Sequence, residues 1–157
     1  TFLNNGYNPR TDESNIALLK MPKPLNLEKV KDFISPICLP ARGVPMKDDI
    51  CFSSGWGEIS PFPFDQKYLR RYHESVISFD QCKKYFWPAT KNSFCTSNRG
   101  HTDCTGDFGG PLQCLNKDKA WTIEGVYNIG YGFCDNTSVF TKVENYLDWI
   151  EDTIDEN

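Results

Sequence analysis

The 157-residue chain has no hydrophobic run near the roughly 18 residues that a membrane-spanning helix requires. That absence excludes an integral helical membrane protein. Nor does the chain carry an excess of positive charge. Its 17 basic residues stand against 21 acidic ones, for a formal charge of −4. General nucleic-acid binders usually present a strongly basic face, so that class is set aside. Only two histidines occur, and none of the seven cysteines lies in a Cys-x-x-Cys pair. Zinc-site spacing is therefore lacking, and no metal or cofactor is expected. There is no internal repeat and no signal peptide. The opening Thr-Phe-Leu-Asn-Asn-Gly is loop-like, so the expectation is a processed or truncated piece of a longer precursor.

Aromatic residues, at 14%, argue against disorder. Cysteines scattered singly at this density point to disulfides and a secreted, extracellular protein. An odd number cannot all pair internally, so either one thiol is free or one bridge leaves the chain. Acidic residues gather at the end (Glu144, Asp148, Glu151, Asp152, Asp155 and Glu156) and read as a solvated helix face. Turn residues divide the rest into short β-branched and aromatic segments: Ile16–Leu19, Ile34–Leu39, Tyr72–Phe79, Trp121–Ile129 and Val139–Val143. This spacing suits an all-β barrel or sandwich. Two helices are expected. Ser78 and Gln81 have capping-box spacing before a short helix through Phe86. Thr141 and Glu144 repeat it before a C-terminal helix that aligns Val143, Tyr146, Leu147, Ile150 and Ile154 on one stripe.

One motif carries more information than the rest. Residues 104–112 read Cys-Thr-Gly-Asp-Phe-Gly-Gly-Pro-Leu. This strongly resembles the nucleophile loop of trypsin-like, chymotrypsin-fold serine proteases, C-x-G-D-S-G-G-P-L. Other landmarks of that family follow in order. They are Asn15-Ile-Ala-Leu-Leu19, Pro36-Ile-Cys-Leu-Pro40, Cys51 with Gly55-Trp56-Gly57, Gly125-Val-Tyr-Asn-Ile-Gly130, and Phe140-Thr-Lys-Val143 through Asp148-Trp149-Ile150.

The resemblance implies a chymotrypsin-like double β-barrel of which this chain supplies the C-terminal part. Residues 1–40 would end barrel one and cross over, 41–142 would form barrel two, and 143–157 the terminal helix. It implies the bridges Cys51–Cys114, Cys82–Cys95 and Cys104–Cys134. Cys38 is left to bond a segment upstream of the domain, the N-terminal remainder of the same precursor. The family's catalytic histidine lies in the missing half. His73 and His101 fall outside its position and read as surface residues.

The triad positions present here are altered. Peptide hydrolysis by this fold needs a hydroxyl nucleophile, an imidazole base and a carboxylate that orients it. Phe108 occupies the nucleophile position and Asn15 the carboxylate position. Phenylalanine has no lone pair with which to attack, so its loss alone suffices. Neither Glu13 nor Thr105 restores a positioned group. In the specificity pocket, Thr102 stands where the family's base-selecting aspartate lies, although Asp103 follows it. Asn128 and Ile129 replace the Ser-Trp wall before Gly130, and Thr137 and Ser138 replace Pro-Gly. Gly106 and Asp107 persist as an oxyanion-loop remnant, kept for loop geometry and internal pairing.

Two weaker signals remain. Asn136-Thr-Ser138 is an N-glycosylation sequon. Lys67, Arg70, Arg71 and His73 form a basic cluster, read as a solvated face with docking of an acidic partner or sulfated sugar as the alternative. The leading functional expectation is a secreted, catalytically inactive serine protease homologue that binds a protein partner as cofactor, decoy or regulator in a proteolytic cascade. An active trypsin-like endopeptidase and a disulfide-linked structural subunit are the competing readings.

Overall fold

A computed structural model describes residues 1–43, 50–58, 67–97, 105–131 and 137–157. Six strands close into an antiparallel barrel: β3 (Ile50–Gly55), β4 (Arg70–Val76), β5 (Ser93–Ser97), β6 (Pro111–Leu115), β7 (Trp121–Tyr131) and β8 (Thr137–Lys142). Their order around the barrel is β3-β4-β5-β8-β7-β6, with β6 returning to β3. Closure leaves these strands without a free edge. Side chains alternate in and out along each strand. On β3 this sends Cys51 and Ser53 inward while Phe52 and Ser54 remain more exposed. The barrel core is built on Leu112, Phe94, Tyr127 and Phe140 around the Cys51–Cys114 bridge. The all-β expectation, with a closed barrel and a short terminal helix, is borne out.

Helix α2 (Phe79–Tyr85) begins as its sequence predicts. The Ser78 hydroxyl accepts from the Gln81 amide, and the Gln81 side chain accepts in return from the Ser78 amide. Those reciprocal bonds satisfy donors that the first helical turn leaves unpaired. Cys82 then ties the helix to β5 through Cys95.

The second predicted capping box does not form. Thr141 lies within β8, and its hydroxyl donates to the Asn15 carbonyl at 3.0 Å. A tertiary acceptor has taken the group that would have capped the helix. The chain passes instead through a 3-10 turn, Val143–Tyr146, whose N-cap Lys142 makes no side-chain capping bond, into helix α3 (Leu147–Asp155). Val143, Tyr146, Leu147 and Ile150 are buried as the stripe requires. Ile154 departs from the expectation and is 63% exposed, beside Phe2, Leu18 and Leu19.

Residues 1–43 pack quite differently. They contain a two-stranded hairpin, β1 (Phe2–Leu3) with β2 (Ala17–Leu18), and one turn of helix, α1 (Leu27–Val30). Within this stretch only Ser14 and Pro40 are buried. Leu3, Leu19 and Phe33 are 71%, 78% and 89% exposed. Ile16 and Leu18 of this segment pack against the cluster of Val143, Tyr146 and Ile150, and hydrogen bonds pin it further. Tyr146 donates its hydroxyl to Ser14 at 3.1 Å, and burial pushes that phenol's pKa up, keeping it a neutral donor. Asn92 donates to Glu13 at 3.0 Å, and Asn128 donates to the Asp12 carbonyl at 2.9 Å.

Candidate functional site

The segment around Asn15 and the 105–110 loop meet the barrel along β7. Asn15 donates its side-chain amide to Asn128 Oδ1 at 2.8 Å, across 113 residues of sequence. Asn128 in turn donates to Asp12, so the two asparagines form one chain of amide hydrogen bonds. The positions that the resemblance assigns to a triad carboxylate and a pocket wall are thus brought together, but through carboxamides. Such a pair holds no charge with which to stabilise an imidazolium. Glu13 does not join it, because its carboxylate accepts from Asn92.

The loop that carries Phe108 is fixed by backbone bonds to β7. Gly109 donates to the Tyr127 carbonyl at 2.9 Å, Tyr127 donates to the Gly110 carbonyl at 2.8 Å, and Gly110 donates to Asp107 at 2.8 Å. This lattice lays the Phe108 ring parallel to Tyr127, with centroids 5.4 Å apart and 8° between planes. Tyr127 is buried beneath, while Phe108 remains 59% exposed. The position that the family resemblance assigns to a nucleophile therefore holds one layer of an aromatic stack. The sequence reading missed Tyr127. Its signal was an aromatic in the Gly125-Val-Tyr-Asn-Ile-Gly130 run.

Asp107 has a structural occupation. It is buried, and its carboxylate accepts from the Gly57 amide at 2.7 Å. A side chain on Gly55 or Gly57 would place its Cβ within 1.8 Å or 2.4 Å of that carboxylate. The Gly-Trp-Gly run and the Gly-Asp-Phe-Gly-Gly run are thus two halves of one fitting. Gly106, at φ +98°, turns the chain beside Gly57. Replacing Gly57 by alanine is expected to expel the carboxylate and destabilise the protein by about 2 kcal/mol, the order of a lost buried bond to a charged acceptor. Urea denaturation measures it. An unchanged midpoint would contradict the fitting.

The other predicted positions fall as follows. Ser138 is fully buried on β8, opposite Gly130 of β7, and Ile129 packs against the cluster around the Cys82–Cys95 bridge. Thr105 lies on the exposed start of the nucleophile-position loop. Thr102, Asp103, His101, Asn136 and the Cys104–Cys134 pair lie outside the described residues. His73 sits on β4, edge-on to Phe52. Cys38 is a free, exposed thiol. Its backbone is clamped to the start of β7, donating to Trp121 and accepting from Ile123. Among the described residues no cluster of His, Cys, Asp or Glu is arranged to hold a metal ion. No described helix is long and apolar enough to cross a membrane.

Comparison with known proteins agrees with this arrangement. A protein-family model described as Trypsin matches residues 1–150. The chain is 32% identical over 150 residues to the chymotrypsin-like elastase family member 3B of Macaca mulatta, covering 90% of this chain and 57% of that protein. It is 32% identical over 158 residues to a tryptase of Mus musculus, covering 88% and 55%. To chymotrypsin-C of Bos taurus it is 30% identical over 158 residues, covering 95% and 58%. The chain thus spans little more than half the length of these relatives. From its barrel, its paired glycine motifs and this similarity along nearly its whole length, the chain belongs to the trypsin family.

Proposed function

We propose that this chain is the C-terminal part of a secreted trypsin-family domain that has lost peptide hydrolysis and acts by binding a protein. Its role would be that of cofactor, decoy or regulator in a proteolytic cascade. One observation carries the reading: the nucleophile position is Phe108, stacked on Tyr127. A hydrocarbon ring forms no acyl bond, and the Asn15–Asn128 amide pair offers no carboxylate to a base. The rigid, disulfide-tied barrel remains available for surface recognition.

The same reading gives this chain a partner in the N-terminal remainder of its precursor, bridged through Cys38. The exposed thiol and the uncovered Leu3, Leu19 and Phe33 support it. An extracellular location accords with the two disulfides among the described residues. Asn136 is proposed as a glycosylation site on its sequon alone.

The test is peptide turnover by the full-length natural protein, using a panel of substrates with basic, aromatic and small side chains at the cleavage position. No cleavage above the buffer rate is expected. Sustained turnover that copurifies with the protein would overturn the reading. The double variant Phe108→Ser with Asn15→Asp is expected to recover little, because Asn128 and Tyr127 remain. Electrophoresis without reductant should show a species that loses mass on reduction. An unshifted band with a titratable thiol would count against the Cys38 bridge.

A further inference from the structure

A small interior space lies beside the Asn15–Asn128 contact. It is a cavity of about 10 Å³, where the turn at residues 11–14 meets the connector after α2 and strands β7 and β8. Its walls are mainly polar side chains, among them Thr11, Glu13, Thr90, Asn92 and Asn128.

The hydrogen bonds around this space do not balance. The Thr11 hydroxyl oxygen is wholly buried and meets no protein partner. Thr90 accepts from the Asn92 amide at 3.1 Å, and among the described residues nothing takes its own hydroxyl proton. Glu13 accepts from the Asn92 side chain through Oε1 alone. A buried hydroxyl without a partner loses its hydration for no return, which native proteins rarely tolerate. The turn itself is strained. Asp12 and Ser14 take left-handed φ values of 53° and 56°, although neither is glycine. Such residues persist only where their surroundings hold them. Asp12, Glu13 and Ser14 are each tied to the barrel, through Asn128, Asn92 and Tyr146. The Thr11 side chain has no such tie.

We propose that this cavity binds one water molecule, which joins the Thr11 hydroxyl to Thr90 and Glu13 and completes the anchorage of the turn leading into Asn15. A space this small lets a single occupant reach every wall, and it has the room and the polar partners that an internal water requires. Water accepts the Thr90 proton and donates to the carboxylate, so it meets both demands. A hard metal cation instead takes about six oxygen ligands, whereas the carboxamides of Asn92 and Asn128 are among these walls. Every wall comes from this chain, so the inference does not turn on which surfaces the N-terminal remainder covers. It is equally independent of the loss of hydrolysis at Phe108.

The test is a crystal structure of the full-length protein at a resolution that shows ordered water, with rubidium chloride as a soaked probe. One water peak is expected within about 3 Å of Thr11 Oγ1, with no rubidium signal there. No peak at this place, or a Thr11 hydroxyl bonded to protein, would overturn the proposal. So would a rubidium signal in the cavity, which would make the site a cation's. Hydrogen exchange then reads what the water does. Thr11→Val keeps the shape and removes the hydroxyl. It should lower protection about tenfold at the amides of Asn8 and residue 11, which close the turn on the Glu13 and Asn8 carbonyls. Thr11→Ser, which retains the hydroxyl, should stay within about threefold of wild type. The Tyr127 amide, bonded to Gly110, should not change. Equal protection in wild type and Thr11→Val would contradict the water's part in holding the turn.

Discussion

Replacing Phe140 by alanine is expected to destabilise the protein by about 3–5 kcal/mol, the range for deleting a fully buried aromatic side chain. Phe140 is 0% exposed. On β8 it faces Phe94 of β5 and Tyr127 of β7, each with ring centroids 5.6 Å away. Its neighbour on the third side is Gly125, where any Cβ would come within 2.8 Å of both Phe140 and Phe94. The ring is therefore seated in a space made by a glycine, and no adjacent side chain can move in to fill it. Because Tyr127 supports Phe108, the deletion should also loosen the aromatic stack at the nucleophile position. Urea denaturation of the full-length protein measures the first effect. Near-ultraviolet dichroism reports the second. A loss below about 1 kcal/mol would mean that the barrel interior collapses around the gap.

Removal of the two disulfides among the described residues should separate by loop length. Cys51 and Cys114 are register partners on β3 and β6, 63 residues apart in sequence. Cys82 and Cys95 are 13 apart and join helix α2 to β5. Constraint of the unfolded chain gives about 4 kcal/mol for the first and about 3 kcal/mol for the second. All four sulfurs are buried, so replacing each pair by alanine leaves gaps of similar size and the difference reports the loop. Equilibrium unfolding of the two double variants decides it. The opposite ranking would indicate that anchoring α2, rather than restraining the unfolded chain, is the larger contribution.

Local signals were the most legible. The Ser78–Gln81 box started a helix because both of its bonds are made within one turn. Alternation over Trp121–Ile129 marked β7 for the same reason, since period two needs no knowledge of the neighbouring strand. The run Ile34–Leu39 forms no extended strand, and only Cys38 bridges to Thr122. Pro36 and Pro40 remove donors from any ladder there. Long-range choices were not legible. Thr141 has capping spacing, but its hydroxyl was claimed by Asn15, 126 residues away. Ile154 continues the helical stripe past the point where there is a core to meet it.

At the candidate site, the motif showed which residues stand at 15, 57, 107 and 108 but not how they meet. That Asn15 pairs with Asn128, and that Asp107 fills the space left by two glycines, are facts of the closed barrel. Similarly, the basic run Lys67–His73 is merely charged in sequence. Only the strand register lays Arg71 against Phe52.

The most direct measurement is covalent labelling of the purified full-length protein with a fluorophosphonate, followed by intact mass and peptide mapping. The reagent phosphonylates only a hydroxyl activated as a nucleophile. With Phe108 in that position, no mass increase is expected at any pH where the fold persists. Stoichiometric addition to a serine or threonine of this chain would contradict the account.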